Sequence, residues 1–244
     1  MNIITALKYA YRAFIKNDDY SRFYIAHRLS LLIYPKSISS EYGRIIFDEQ
    51  EFRDYYFSFE NSDSRSFDRK YFLKEAIKIT LDIPGDTAEC GVFKGASSWL
   101  ICQAIKETGK NHHLFDSFSG LPEPGLADGA YWSSGDLSTG SQEARKNLVD
   151  FRFAHFYEGW IPEKFSEIEH LTFSFVHIDV DLFEPTLASL RFFYPRLSPG
   201  GVIICDDYGF NSCPGAKKAM DDFFSDKVEK IILVPTGQAM VIKK

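Results

Sequence analysis

From residue 86 onward, short apolar runs alternate with longer stretches in which apolar residues recur every three or four positions. The runs predict strands at 87–92, 112–115, 154–157, 173–178, 202–205, 230–234 and 239–242. The longer stretches predict helices at 96–108, 141–149, 185–197 and 214–224. Alternation of this kind predicts an α/β fold, with a doubly wound, mostly parallel seven-stranded sheet and helices on both faces. The runs 173–178 and 202–205 are almost continuously apolar, as strands buried on both faces must be. In such sheets ligands bind beyond the carboxyl ends of the strands. The polar residues that end each strand are therefore the ones to examine.

The first part of the chain follows another pattern. Ile4, Leu7, Tyr11, Phe14 and Ile15 fall on one side of a helix. Residues 61–66 read as a loop, and a helix is expected over 67–81. This divides the chain into an N-terminal helical segment, 1–70, and a main domain, 71–244. From Met1 to Phe47 the cations Lys8, Arg12, Lys16, Arg22, Arg28, Lys36 and Arg44 face only Asp18, Asp19 and Glu41. A basic amphipathic helix can pack on its own domain, dock a partner enzyme or lie on a membrane surface.

Composition narrows the function classes. The formal net charge is -6, which argues against a nucleic-acid binder, since that would need a basic face. Cys90, Cys102, Cys205 and Cys213 form no C-x-x-C pair, so neither zinc nor redox chemistry is signalled. No signal peptide is evident, and the apolar stretch 3–15 is too short and too charged to span a bilayer. A cytoplasmic location is expected.

Four strand ends carry candidate chemistry. The first runs Glu89-Cys90-Gly91-Val92-Phe93-Lys94-Gly95-Ala96-Ser97 into a helix. Its glycines suit a tight turn with close backbone approach to a ligand, although a purely structural turn would read the same way. The third glycine of a dinucleotide fingerprint is missing. A turn without a phosphate cradle suits an uncharged nucleoside carrying an amino acid, as in S-adenosylmethionine (SAM). The second strand ends in Asp116, placed to accept hydrogen bonds from ribose hydroxyls. Most telling are Asp179-Val180-Asp181 and Asp206-Asp207, each after a buried-strand pattern. If those strands are neighbours, four carboxylates crowd one sheet edge and repel unless a cation is present. A hard divalent ion such as Mg2+ fits such oxygen donors. His177, just before the pair, is expected to be structural.

Together these motifs resemble the macrocin O-methyltransferase (TylF-type) family, whose members methylate sugar hydroxyls using SAM and Mg2+. The resemblance rests on 88–95, Phe115-Asp116-Ser117-Phe118-Ser119-Gly120-Leu121-Pro122, Glu158-Gly159-Trp160-Ile161-Pro162, 177–186 and 197–209. It implies a Rossmann-like class I SAM methyltransferase fold. By position it implies Asp179, Asp206 and Asp207 as metal ligands and Asp181 as general base. Glu89, Gly91, Val92, Gly95, Ser97, Asp116, Ser117, Gly159, Trp160 and Asp179 would border SAM. Phe183 stands where the family often has Tyr. The resemblance further implies a sugar-containing acceptor and a homo-oligomer. The glycine-rich stretch 124–140 reads as a flexible lid over the site. Two other readings stand beside it: a metal-dependent glycosyltransferase using Asp179 and Asp181 as a D-x-D motif, and a non-catalytic SAM-fold binding module.

Overall fold

The computed structural model describes residues 3–36, 48–59 and 66–244. The expected loop at 61–66 lies outside them, apart from Ser66. The chain divides into two compact units, Met1–Glu60 and Asn61–Lys244. Among the described residues, no helix is long and apolar enough to cross a membrane.

The first unit contains α1 (Ile3–Phe14), α2 (Asp19–Ile33) and α3 (Gln50–Ser58). Asp18 starts α2 as its N-cap, its Oδ2 accepting from the Ser21 amide at 3.0 Å. Tyr9 of α1 stacks on Tyr24 of α2 with centroids 4.3 Å apart.

The second unit opens with α4 (Phe67–Ala76), which tightens into a 3-10 turn over Ile77–Thr80. This helix lies wholly in the second unit, so the contact division falls several residues before the boundary expected at 70. The strands are β1 (Asp86–Cys90), β2 (His112–Asp116), β3 (Ala154–Glu158), β4 (Phe173–Ile178), β5 (Leu197–Cys205), β6 (Ile232–Leu233) and β7 (Ala239–Ile242). Between them lie α5 (Ala96–Ile105), α6 (Ser141–Asn147), α7 (Phe183–Phe193) and α8 (Pro214–Phe224). The sheet order is β3-β2-β1-β4-β5-β7-β6. Every pairing is parallel except those of β7, which is antiparallel to both β5 and β6.

The two faces are covered by different helices. Phe173, Val176, Ile178, Ile203 and Cys205 share one core with Phe193 and Met220 of α7 and α8. Phe175, Val202 and Ile204 point into the other, against Leu73, Ile77, Ile101 and Ile105. Each such fully buried side chain contributes about 1.5–3 kcal/mol of transfer free energy. After β1 the chain winds outward through β2 and β3, then returns to place β4 on the other side of β1. The order of strands thus reverses between β1 and β4, and their carboxyl ends flank the crevice where ligands bind in this architecture.

Candidate active site

The site is built at the tips of β1, β2, β3, β4 and β5. At the tip of β1 the chain turns through Gly91, whose φ is 87°. A Cβ there would lie 1.8 Å from the Asp179 carbonyl oxygen. The Asp179 amide also donates to the Cys90 carbonyl at 2.8 Å. Glycine is therefore required because the end of β4 passes against the turn. Gly95 is also left-handed, at φ 85°, and starts α5.

Asp116 at the end of β2 ties this turn down. Its Oδ2 accepts from the amides of Val92 at 2.7 Å and Phe93 at 2.9 Å, and its Oδ1 accepts from the Phe118 amide at 2.7 Å. Ser117 Oγ donates to the Gly120 carbonyl at 3.1 Å, and the Gly159 amide after β3 donates to the Asp116 carbonyl at 3.0 Å. Trp160 stands beside it, 38% exposed. The turn of β1, Asp116, Ser117, Gly159 and Trp160 are thus joined by the tips of three adjacent strands.

Glu89 is placed differently from a ligand-facing acid. It is fully buried, with Oε2 accepting from Ser98 Oγ and Oε1 paired with His177 Nδ1 at 2.8 Å. Burial alone would raise its pKa, but His112 and His177 outweigh that and bring the carboxyl down to about 2. His112 Nε2 stands 3.7 Å away, beyond hydrogen-bonding range, so the bond is His177's. Glu89 anchors the floor of the crevice through its neighbours.

His177 links two strand tips. Its Nε2 lies 3.2 Å from Asp206 Oδ1, so both ring nitrogens meet carboxylates and both must carry protons. Burial opposes the imidazolium, yet the bonds to Asp206 and Glu89 prevail and hold the ring at about 9. The histidine joins the β1 acid to the β5 acid.

The carboxylates of β4 and β5 do gather at one edge. Asp179 and Asp206 lie with His177 in one group whose ligand-type atoms are all within 4.8 Å of one another; Asp181, Asp207 and Cys213 form another. The set Asp179, Asp206 and Asp207 is therefore spread over two adjoining groups. Asp181 is left-handed, at φ 59°. Its amide donates to Asp207 Oδ2 at 2.9 Å, and Cys213 Sγ lies 3.4 Å from its Oδ1. Burial and the neighbouring Asp179 charge push the Asp181 carboxyl up to about 7. Burial, with Asp181 and Asp179 alongside, raises Asp207 well above the usual range, and burial with Asp206 raises Asp179.

Asp206 goes the other way. Although burial opposes it, His177 and Arg69 keep it firmly ionised. Arg69 Nη1 donates to Asp206 Oδ2, Gln238 Nε2 donates to Oδ1 at 2.6 Å, and the guanidinium lies 4.9 Å from the Phe210 ring centroid. Next to Arg69, Lys70 Nζ donates to Ser97 Oγ at the start of α5. The repulsion anticipated among the acids is thus relieved in part by the protein's own cations. Arg69, Lys70 and Gln238 escape sequence reasoning because each is remote from the acids in the chain. The only hint is a pair of adjacent cations opening a helix.

The carboxylate set still suits a hard divalent cation. Burial and mutual repulsion raise Asp179, Asp181 and Asp207, so their charged forms are costly unless a cation accompanies them, and oxygen donors are what such an ion takes. On Asp206 such an ion would meet Arg69 at Oδ2, which accepts one hydrogen bond from the guanidinium.

The glycine-rich stretch 124–140 is held at several points. Asp128 Oδ2 accepts from the Gly125 amide at 2.7 Å, and its Oδ1 accepts from the Phe183 amide at the start of α7 at 2.6 Å. Trp132 Nε1 lies 3.4 Å from Cys213 Sγ. The segment is pinned to the same helix starts that carry the acid cluster, while Leu126 and Tyr131 stand exposed.

The family model for macrocin-O-methyltransferase (TylF) matches residues 69–233. A tetracenomycin-C rhamnosyl 4'-O-methyltransferase of Streptomyces olivaceus is 30% identical over 148 residues, covering 55% of this chain and 57% of its own length. Demethyldecarbamoylnovobiocin O-methyltransferase of Streptomyces niveus is 29% identical over 157 residues, 58% of this chain and 59% of its own length. The chain therefore spans somewhat over half the length of these relatives. Among solved structures, the O-methyltransferase NovP aligns with a TM-score of 0.63 at 24% identity, over 73% of this chain and 80% of its own. A calicheamicin methyltransferase aligns with a TM-score of 0.65 at 18% identity, over 84% and 94%. At these identities the structural likeness establishes the fold, that of the class I SAM methyltransferases.

Proposed function

The chain belongs to the macrocin-O-methyltransferase (TylF) family, and from that premise we propose that it transfers the methyl group of SAM to a hydroxyl oxygen of a sugar. The observation that carries the reading is the buried acid cluster of β4 and β5 beside the glycine turn of β1. Both curated relatives described above carry names that specify O-methylation, one of them on a rhamnosyl group.

SAM would lie along the tips of β1, β2 and β3. Gly91, Val92, Gly95 and Ser97 form the turn, Asp116 and Ser117 face the ribose side, and Gly159 and Trp160 border the adenine side. Asp116 Oδ1 accepts one amide hydrogen bond and keeps a lone pair for a hydroxyl donor. Glu89 acts from behind the turn, through Ser98 and His177.

Asp181 is the general base. A sugar hydroxyl is a weak acid and attacks well only as its proton leaves. A carboxylate whose burial lifts its pKa to about 7 is a far better acceptor than an ordinary aspartate and is about half ionised at neutral pH. The methyl group passes to the hydroxyl oxygen as the proton passes to Asp181, and S-adenosylhomocysteine leaves. Asp179, Asp206 and Asp207 would hold Mg2+ or another divalent cation. When bound, such an ion would acidify the hydroxyl and orient its neighbour on the sugar. Holding both reactants in line accounts for much of the remaining acceleration.

Transfer of labelled methyl from SAM to a panel of glycosides, nucleotide sugars and glycans, with Mg2+ or EDTA, tests this directly. Labelled product that depends on added metal is expected. Calorimetry showing no SAM binding, alongside metal-dependent binding of a UDP-sugar, would instead favour the glycosyltransferase reading.

A further inference from the structure

Among its described residues, the first unit carries exposed apolar side chains on α1 and α2. Helices α1 and α2 form an antiparallel hairpin, fixed by the Tyr9–Tyr24 stack and by Arg22 Nε donating to the Ala13 carbonyl at 3.0 Å. The side of α1 turned to α2 is made of small and part-polar residues. Ala13 is fully buried, and Thr5, Ala6, Tyr9 and Ala10 are half-buried. The large apolar residues face outward: Ile3, Ile4, Leu7, Tyr11 and Phe14 are 52–79% exposed. At 100° per residue these five span an arc of roughly 100°. Lys8 and Arg12, both exposed, form the next arc around the same helix, Arg12 pairing with Asp18 at 3.2 Å, and the exposed Lys16 follows just beyond the helix end. The helix is thus divided into three strips, one for the hairpin, one apolar and one cationic.

Hairpin register brings the end of α2 beside the start of α1. There Leu29, Leu32 and Ile33, at i, i+3 and i+4, are also exposed. Residues 3–36 contain six cations, Lys8, Arg12, Lys16, Arg22, Arg28 and Lys36, against Asp18 and Asp19, a net charge of 6 − 2 = +4 in a chain whose total is -6. An apolar strip edged by a cationic strip is the arrangement with which a helix lies in a bilayer surface, its aliphatic side among the acyl chains and its cations at anionic headgroups.

We propose that the α1–α2 hairpin is a docking surface for an anionic lipid membrane. The charge decides between occupants. A zwitterionic surface would use only the apolar strip, whereas anionic lipid uses both strips at once. The inference rests on the first unit and is independent of the methyl-transfer reading. With that reading, it would bring the enzyme to glycan acceptors carried on lipid.

The test uses the full chain and sedimentation with vesicles of phosphatidylcholine, or of phosphatidylcholine with about one-third phosphatidylglycerol. Binding to the anionic vesicles, weakened by salt, is expected, with little binding to the neutral ones. The double variant Leu7→Glu/Phe14→Glu should bind about tenfold less or weaker, while its SAM affinity matches wild type and reports an intact second unit. Lys8→Glu/Lys16→Glu should lose the preference for anionic lipid without adding apolar-face damage. Wild-type protein that stays in the supernatant with both vesicle types overturns the proposal. So does undiminished sedimentation of Leu7→Glu/Phe14→Glu. A dimer in light scattering that this variant dissolves, without vesicle binding, would assign the surface to a second copy of the chain.

Discussion

Asp181 and Arg69 show how single residues set the chemistry of the crevice. Asp181 combines a left-handed backbone, an amide bond to Asp207 and a carboxyl lifted to about 7 by burial and Asp179. Asparagine is isosteric and tolerates the same backbone region. Asp181→Asn should therefore leave SAM affinity unchanged in calorimetry while methyl transfer falls by about 10²–10⁴-fold, the usual share of a general base. Turnover near wild type would remove the base role. Arg69 holds a cation against Asp206, where the proposed metal would also need an oxygen. Two cations cannot share that carboxylate without repelling each other. Arg69→Gln should therefore bind Mg2+ about tenfold more tightly than wild type in a metal titration at fixed pH. Equal or weaker binding would mean that Arg69 supports the site rather than competing for it.

The strand-to-turn elements carry their own constraint, and it differs from the one the sequence suggests. Gly91 reads as a residue that admits a ligand, but the nearest obstacle to a side chain is the Asp179 carbonyl, 1.8 Å from a Cβ. Gly91→Ala would have to force apart the ends of β1 and β4 and hold a left-handed alanine. A loss of about 3 kcal/mol or more is expected. Gly109 is also left-handed, at φ 75°, but nothing lies within 4 Å of its Cβ position, so Gly109→Ala should cost only about 1–2 kcal/mol. Urea denaturation of both variants checks the contrast, and similar midpoints would refute it. The elements themselves were legible wherever one local pattern decides them. Strand β4 at Phe173–Ile178 and helix α8 at Pro214–Phe224 fall on the expected residues, because a continuous apolar run and a proline-started periodic run leave little choice. Helix α5 ends at Ile105, earlier than the periodicity implied, and β6 shrinks to two residues on the sheet edge. Ends depend on what packs there, and the sequence does not state that. The acids were legible as strand tips. Their partners were not: Arg69 reaches Asp206 across 137 positions and Gln238 across 32, pairings that only the folded sheet creates.

At the scale of the whole molecule, the buried charges form one connected system from the β1 acid to the acid cluster. Ser98, Glu89, His177, Asp206, Arg69 and Gln238 are joined by hydrogen bonds and an ion pair, and Asp179, Asp181 and Asp207 adjoin them. Its members respond to pH in different directions. Glu89 is depressed to about 2 from 4.5, so its stabilisation is complete above 4.5 and is lost as pH falls through about 2. His177 is raised from 6.5 to about 9, so its stabilisation is complete below 6.5 and is lost as pH rises through about 9. Asp181 is raised from 3.8 to about 7, which means that folding disfavours its charged form. The folded state therefore loses stability as pH rises from 3.8 through about 7, and Asp179 and Asp207 shift the same way. From mildly acid to mildly alkaline pH, then, the metal-free protein should weaken on both accounts. A divalent cation binds the charged carboxylates and not the protonated ones, so the stabilisation it adds should grow over the same range. Melting temperatures with and without Mg2+, at about pH 5.5 and about pH 8.5, give the measurement. The rise on adding Mg2+ should be small at the lower pH and several degrees larger at the higher. An equal rise at both, or a larger one in acid, would show that the ion does not act on this carboxylate cluster.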